Sequence, residues 1–106
     1  MFDPYHNAIR NFDLVRGDLA GSWEDSPRDV VIVNWNGSHR DASLRFFARR
    51  GHRQIIAGYF DGAPDDVRDW LRSARGVPGV IGVMVHDLAR PLRRPRAFAR
   101  AVRSEP

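Results

Sequence analysis

Three times along the chain a short apolar run stops abruptly in polar and aromatic residues, with a helix-period pattern between one run and the next. The first is Asp29-Val30-Val31-Ile32-Val33-Asn34-Trp35-Asn36-Gly37-Ser38. The second is Gln54-Ile55-Ile56-Ala57-Gly58-Tyr59-Phe60-Asp61-Gly62, and the third is Val77-Pro78-Gly79-Val80-Ile81-Gly82-Val83-Met84-Val85. Unbroken branched apolar residues suit a strand covered on both faces better than one with a wet side, and that is the habit of parallel sheets flanked by helices. The order strand, helix, strand, helix, strand is therefore predicted for the centre of the chain.

The two intervening patterns have the ends that helices need. The first should start near Ser38, whose hydroxyl can cap a free backbone amide, with Asp41 in the first turn and Leu44, Phe47 and Ala48 on one face. Gly51 after Arg49 and Arg50 is a stop signal. The second has Pro64 at its first position, Asp65 and Asp66 in the first turn, an apolar stripe of Val67, Trp70, Leu71 and Ala74, and Gly76 at its end. One stripe each is what an outer helix lying on a sheet requires. Further upstream, Met1 to Ala8 reads as the end of a strand. Phe12 to Trp23 reads as two extended pieces about a Gly17-Asp18 turn, a hairpin carried on a loop.

A length of 106 residues suits one domain. The absence of cysteine excludes disulfide frameworks and thiolate metal sites. His6, His39, His52 and His86 lack metal-ligand spacing, and His39 and His52, flanking the first helix, read as surface or helix-end residues. No metal or cofactor is expected. Neither a membrane-spanning stretch nor a secretory signal is apparent, so the chain as written is expected to be soluble and cytoplasmic.

The net charge of +4 is unevenly placed. Residues 1–84 carry 11 Arg against 11 Asp plus Glu, whereas residues 85–106 carry 6 Arg against Asp87 and Glu105. The sequence therefore divides into a neutral part, 1–84, and an Arg/Pro-rich basic tail, 85–106. All 17 basic residues are Arg, which points to a GC-rich coding sequence.

Parallel strands joined by helical crossovers belong either to a doubly wound sheet or to a barrel, and in both the functional groups gather at the carboxyl ends of the strands. Those ends carry Asp3, His6 and Asn7, then Asn34, Trp35 and Asn36, then Tyr59 and Asp61. Aromatic rings among amides and carboxylates are how a pocket holds a sugar, the ring stacking on the apolar face of the pyranose while the polar groups take its hydroxyls. The same residues also fit a purely structural reading, with Trp35 and Tyr59 as lids over the core and Asn36-Gly37 and Asp61-Gly62 as turns.

Five stretches carry a resemblance: Met-Phe-Asp-Pro-x-His-Asn-Ala at the start, Leu-Val-x-Gly-x-Leu-Ala-Gly-Ser-Trp-Glu, Val-Val-Ile-Val-Asn-Trp-Asn, Arg-Gly-His-Arg-Gln-Ile-Ile-Ala-Gly-Tyr-Phe-Asp-Gly and Val-Pro-Gly-Val-Ile-Gly-Val-Met. Together they make residues 1–84 resemble the C-terminal part of bacterial (β/α)8-barrel proteins similar to family 20 glycoside hydrolases, the β-N-acetylhexosaminidase type. The resemblance implies a partial TIM barrel whose last three strands are those above, with Trp35, Asn36, Tyr59 and Asp61 lining a sugar pocket. It also implies that the catalytic acidic pair belongs to an earlier strand, which this chain does not contain.

Such relatives continue from the last Met into Tyr-Thr-Thr-Trp, whereas this chain reads Met84-Val85-His86-Asp87-Leu88-Ala89. A single inserted nucleotide converts GC-rich codons of the first version into the second, so residues 85–106 are a candidate out-of-frame tail. Two functional readings follow. In the first, the chain is a fragment of a carbohydrate-active barrel, inactive alone and prone to self-association through exposed sheet edges. In the second, it is a small α/β module binding nucleic acid or another polyanion through the tail, a reading that the neutral charge of residues 1–84 argues against.

Overall fold

The computed structural model describes residues 3–5, 19–59, 64–86 and 95–104. It is a small α/β structure with three parallel strands and three helices. Strand β1 is Ile32–Asn34, followed by a 3-10 turn at Gly37–His39 and helix α1, Arg40–Arg49. Strand β2 is Gln54–Tyr59, helix α2 is Pro64–Ala74, strand β3 is Val80–His86 and helix α3 is Pro95–Ser104. The strands lie in the order β1-β2-β3, with Ile32 opposite Gln54 and Tyr59 opposite His86.

Both predicted central helices form, and their ends show why. Helix α1 stops in a Schellman motif, with the Gly51 amide donating to the Ala48 carbonyl at 3.0 Å and the His52 amide to the Phe47 carbonyl at 3.1 Å. Gly51 takes φ +81°, the conformation that makes the motif, and the Phe47 and His52 rings meet edge to face at 5.7 Å. The start of α1 differs from expectation. The Ser38 hydroxyl does not cap it; instead Asn36 Oδ1 accepts from the Ser38 amide at 3.0 Å and opens the 3-10 turn. The Asn36 carboxamide, two residues upstream, reaches forward over the tight turn to the free Ser38 amide, which moves the cap from Ser38 to Asn36.

The helices share one face of the sheet. Leu44 of α1, Trp70 of α2 and Ile56 of β2 form the buried centre, with Leu71, Ala74, Val77, Val80 and Val83 packed around them. Helix α3 lies beside α2; its Ala101 is buried, and its Phe98 ring stands 3.0 Å from where a Cβ on Gly58 would be. Strand β3 continues two residues past Met84, so the boundary drawn at 84/85 falls inside a strand, and residues 95–104 of the basic tail are the third helix of the layer.

Coverage on both faces, expected for the first apolar run, is not what the described structure shows. Val33 is 39 % exposed, Met84 40 % and Ile81 54 %. All three helices lie on one side, and the strand alternation sends Val33 and Met84 to the other. Ile81 is the extra residue of a bulge, since Gln54 pairs with Val80 but Ile55 with Gly82. Strand β1 is also shorter than the run that encodes it: Val30 lies outside it and is exposed.

Two other expectations change. Leu19 to Trp23, read as the second limb of a hairpin, is a series of turns in which Ser22 and Glu24 donate backbone amides to the carbonyls of Leu19 and Gly21. Gly21 at φ +79° and the Ser22 hydroxyl bonding the Leu19 carbonyl at 2.6 Å favour the turns. The rest of that predicted hairpin lies outside the described residues. His52, read as a surface or helix-end residue, is buried, because the Schellman motif folds it back under Phe47.

Candidate functional site at the carboxyl ends of the strands

The ends of β2 and β3 are level, whereas β1 stops three rungs earlier, Asn34 pairing with Ile56, and the start of α1 follows it there. Trp35 follows β1 directly and is half-buried. Asn36 is next, its carboxamide oxygen already used on the Ser38 amide. Tyr59 closes β2 and pairs with His86, the last residue of β3. Trp35 and Asn36 thus follow the end of β1, and Tyr59 closes the neighbouring strand three rungs beyond Asn34. His6, Asn7 and Asp61 lie outside the described residues.

Asp3 and Asn34 are both buried and hydrogen-bonded within the fold. Asp3 is fully buried; Oδ1 accepts from the Tyr5 amide at 2.9 Å and Oδ2 from the Ser43 hydroxyl of α1 at 2.8 Å. It ties the N-terminal segment to α1. Asn34 is also fully buried, and its Nδ2 donates to Gln54 Oε1 at 2.8 Å. Gln54 Nε2 in turn donates to the Leu44 carbonyl at 3.0 Å. Asn34 shares a parity with Ile32 and a rung with buried Ile56, so its side chain enters the layer between sheet and helices and not the open face.

Around the rim, Tyr5 stacks on His39 with ring centroids 6.5 Å apart and meets Phe46 edge to face at 6.2 Å. The start of α1 is fixed to α2 by Arg40, whose Nε donates to the Ser73 hydroxyl at 3.1 Å. Sequence patterning did not single out Tyr5 or His39 as rim groups. A contact between residues 34 positions apart leaves no periodic trace.

A second cluster lies at the opposite, amino-terminal end of the strands. A polar cleft of about 370 Å³ is lined by Glu24, Ser26, Arg28, Arg49, Arg50 and His52. Arg50 is held there by two carbonyls, its Nη2 donating to Trp23 at 2.9 Å and to Glu24 at 2.6 Å, with its guanidinium carbon 5.7 Å from the Phe46 ring centre. His52 Nδ1 faces the Val30 carbonyl at 3.4 Å. The one available signal for this cluster was the pair Arg49-Arg50 before Gly51, which as a helix ending needs no further role.

Among the described residues, no three His, Asp or Glu side chains are grouped so as to hold a metal ion, and no helix is long and apolar enough to cross a membrane. No protein family model, curated protein or solved structure matches the chain.

Proposed function

We propose that the chain supplies consecutive strand-helix units of a (β/α)8-type barrel and, at their carboxyl ends, part of a carbohydrate pocket. The observation that carries the reading is one-sided coverage. Among the described residues, three parallel strands stand in sequential order, the helices lie on the same face, and the opposite face exposes Val33, Ile81 and Met84, with Ala57 buried on the same rung as Met84. A doubly wound sheet places helices on both faces, whereas a barrel places them all outside and turns the bare face inward. In this reading further strands cover that face, β1 and β3 are the edges at which they join, and the catalytic acidic pair resides on one of them. The chain alone then binds sugar weakly and hydrolyses nothing.

Within the pocket Trp35 is the stacking platform, with Asn36 next to it in the chain. The test is a titration of the isotope-labelled protein with N-acetylglucosamine, following the Trp35 indole NH by NMR. A saturable shift with a dissociation constant on the order of millimolar is expected, and Trp35→Ala should remove binding while the indole signals of Trp23 and Trp70 stay in place. An indole unmoved at saturating sugar would sink the reading.

A second reading rests on α3. Arg96, Arg100 and Arg103 are exposed and recur at i, i+4 and i+7, so they make one basic stripe opposite buried Ala101. Such a stripe fits a polyanion. Binding of single-stranded nucleic acid that weakens steeply with added salt, and that is lost when the three are changed to Gln, would favour it over the sugar pocket.

A further inference from the structure

The cleft at the amino-terminal end of the strands has the makings of a small-anion site, and we infer that it binds a tetrahedral oxyanion, a phosphate or phosphate monoester. Three arginines, Arg28, Arg49 and Arg50, line it beside one acidic residue, Glu24. Arg28 and Arg49 are exposed. Arg28 lays its stem against Gly51 of the Schellman turn, its Cδ 3.9 Å from where a Cβ there would be.

The floor of the cleft is preformed. The two carbonyl bonds at Nη2 and the Phe46 ring fix the Arg50 plane, so no side-chain ordering remains when a ligand arrives. Arg50 Nε is buried with no hydrogen-bond partner, and so is His52 Nε2. Buried polar atoms without partners are rare in folded proteins and ask for an explanation such as a ligand. For His52 the chemistry is constrained further. The Val30 carbonyl can only accept, so Nδ1 carries the hydrogen, and Nε2 becomes a second donor when the ring is protonated.

Planar guanidinium forks and the Ser26 hydroxyl suit the several oxygens of a phosphate. Glu24 limits the choice: a ligand of one negative charge gains little against it, whereas a dianion is favoured by the surplus of arginines.

Titration of the full chain with inorganic phosphate, and in parallel with glucose 6-phosphate, at constant ionic strength set by chloride, tests this by NMR. The expected result is saturable movement of the Ser26, Arg50 and His52 signals. Arg28→Gln and Arg49→Gln, both at exposed positions, should each weaken binding about 3- to 10-fold. Arg96→Gln with Arg100→Gln on α3 should leave it unchanged. An ester that binds as tightly as the free ion assigns the monoester, and one that is shut out assigns the free ion. Phosphate should also raise the melting temperature of the parent protein more than that of the Arg28→Gln/Arg49→Gln pair. Absence of saturation at tens of millimolar, or equal loss in the α3 variant, would overturn the inference.

Discussion

The Asn34 carboxamide nitrogen donates to Gln54 Oε1 at 2.8 Å across two neighbouring strands, and neither side chain reaches solvent. A buried amide pair inside an otherwise apolar layer is stabilising only while both members are present, because a lone buried amide keeps the full cost of its lost hydration. Asn34 Oδ1 is already without a partner. Replacing Gln54 by Leu orphans the rest of Asn34 and should cost about 2–3 kcal/mol in urea unfolding. The double variant Asn34→Val/Gln54→Leu fills the same space with apolar atoms and should recover most of that loss. Simple addition of the two single effects would show that the pair is not coupled.

Gly79 is the tightest backbone contact before a strand. It sits at φ +86°, a Cβ on it would stand 2.5 Å from the His52 carbonyl oxygen, and its own carbonyl accepts the Gln54 amide at 2.8 Å. Gly79→Ala should therefore cost at least about 3 kcal/mol, from the left-handed backbone and the backbone clash together. Gly76 provides the control: φ is +71°, but nothing lies within 4 Å of its missing Cβ. Gly76→Ala should cost only the conformational term, about 1–2 kcal/mol. Equal melting temperatures for the two variants would contradict the contact.

What was legible in the sequence was whatever is written in local periodicity and punctuation. Gly51, Pro64 and Gly76 mark helix ends because capping chemistry is local, and Leu44, Phe47, Val67 and Trp70 announce buried faces through their spacing. Adjacent parallel strands followed from apolar runs alternating with those helices. The side on which each polar group would lie was not legible. Asn34 stands next to Trp35 in the chain, yet strand parity sends it into the helix layer, where Gln54 waits 20 residues away. Asp3 likewise reads as a rim carboxylate until Ser43, 40 residues on, claims it. His52 looked like a helix-end residue because nothing local says that a Schellman turn folds it inward. The amphipathic pattern of α3 was overshadowed by its arginine content, although Phe98 and Ala101 share one face of it.

Helix α3 gives the sharpest test of whether residues beyond Met84 belong to the fold. Phe98 lies against Gly58 in the middle of the sheet's covered face, and Ala101 is 2 % exposed. If that packing holds α3 in place, Phe98→Ala should lower stability by about 1–3 kcal/mol, and the loss should appear in the same cooperative transition as the rest of the chain. An unaltered melt would mean that residues 95–104 are an appendage and would restore the division at 84/85.

The exposed apolar residues on the other face of the sheet set the last expectation. Val33 and Met84 project from it and Ile81 bulges beside them, 39 %, 40 % and 54 % exposed. Apolar side chains on an open sheet with unpaired edges associate unless something covers them. By light scattering the chain should therefore show an average mass that climbs with concentration. Val33→Lys together with Ile81→Lys places charge on both ends of that face and should return the mass to that of one chain, with little cost to the fold, since neither residue contributes to the cluster around Leu44, Ile56 and Trp70. If the parent chain is already a monomer at high concentration and melts sharply, the face is not sticky. The case for missing strands then weakens, and the basic stripe of α3 becomes the better place to look for a partner.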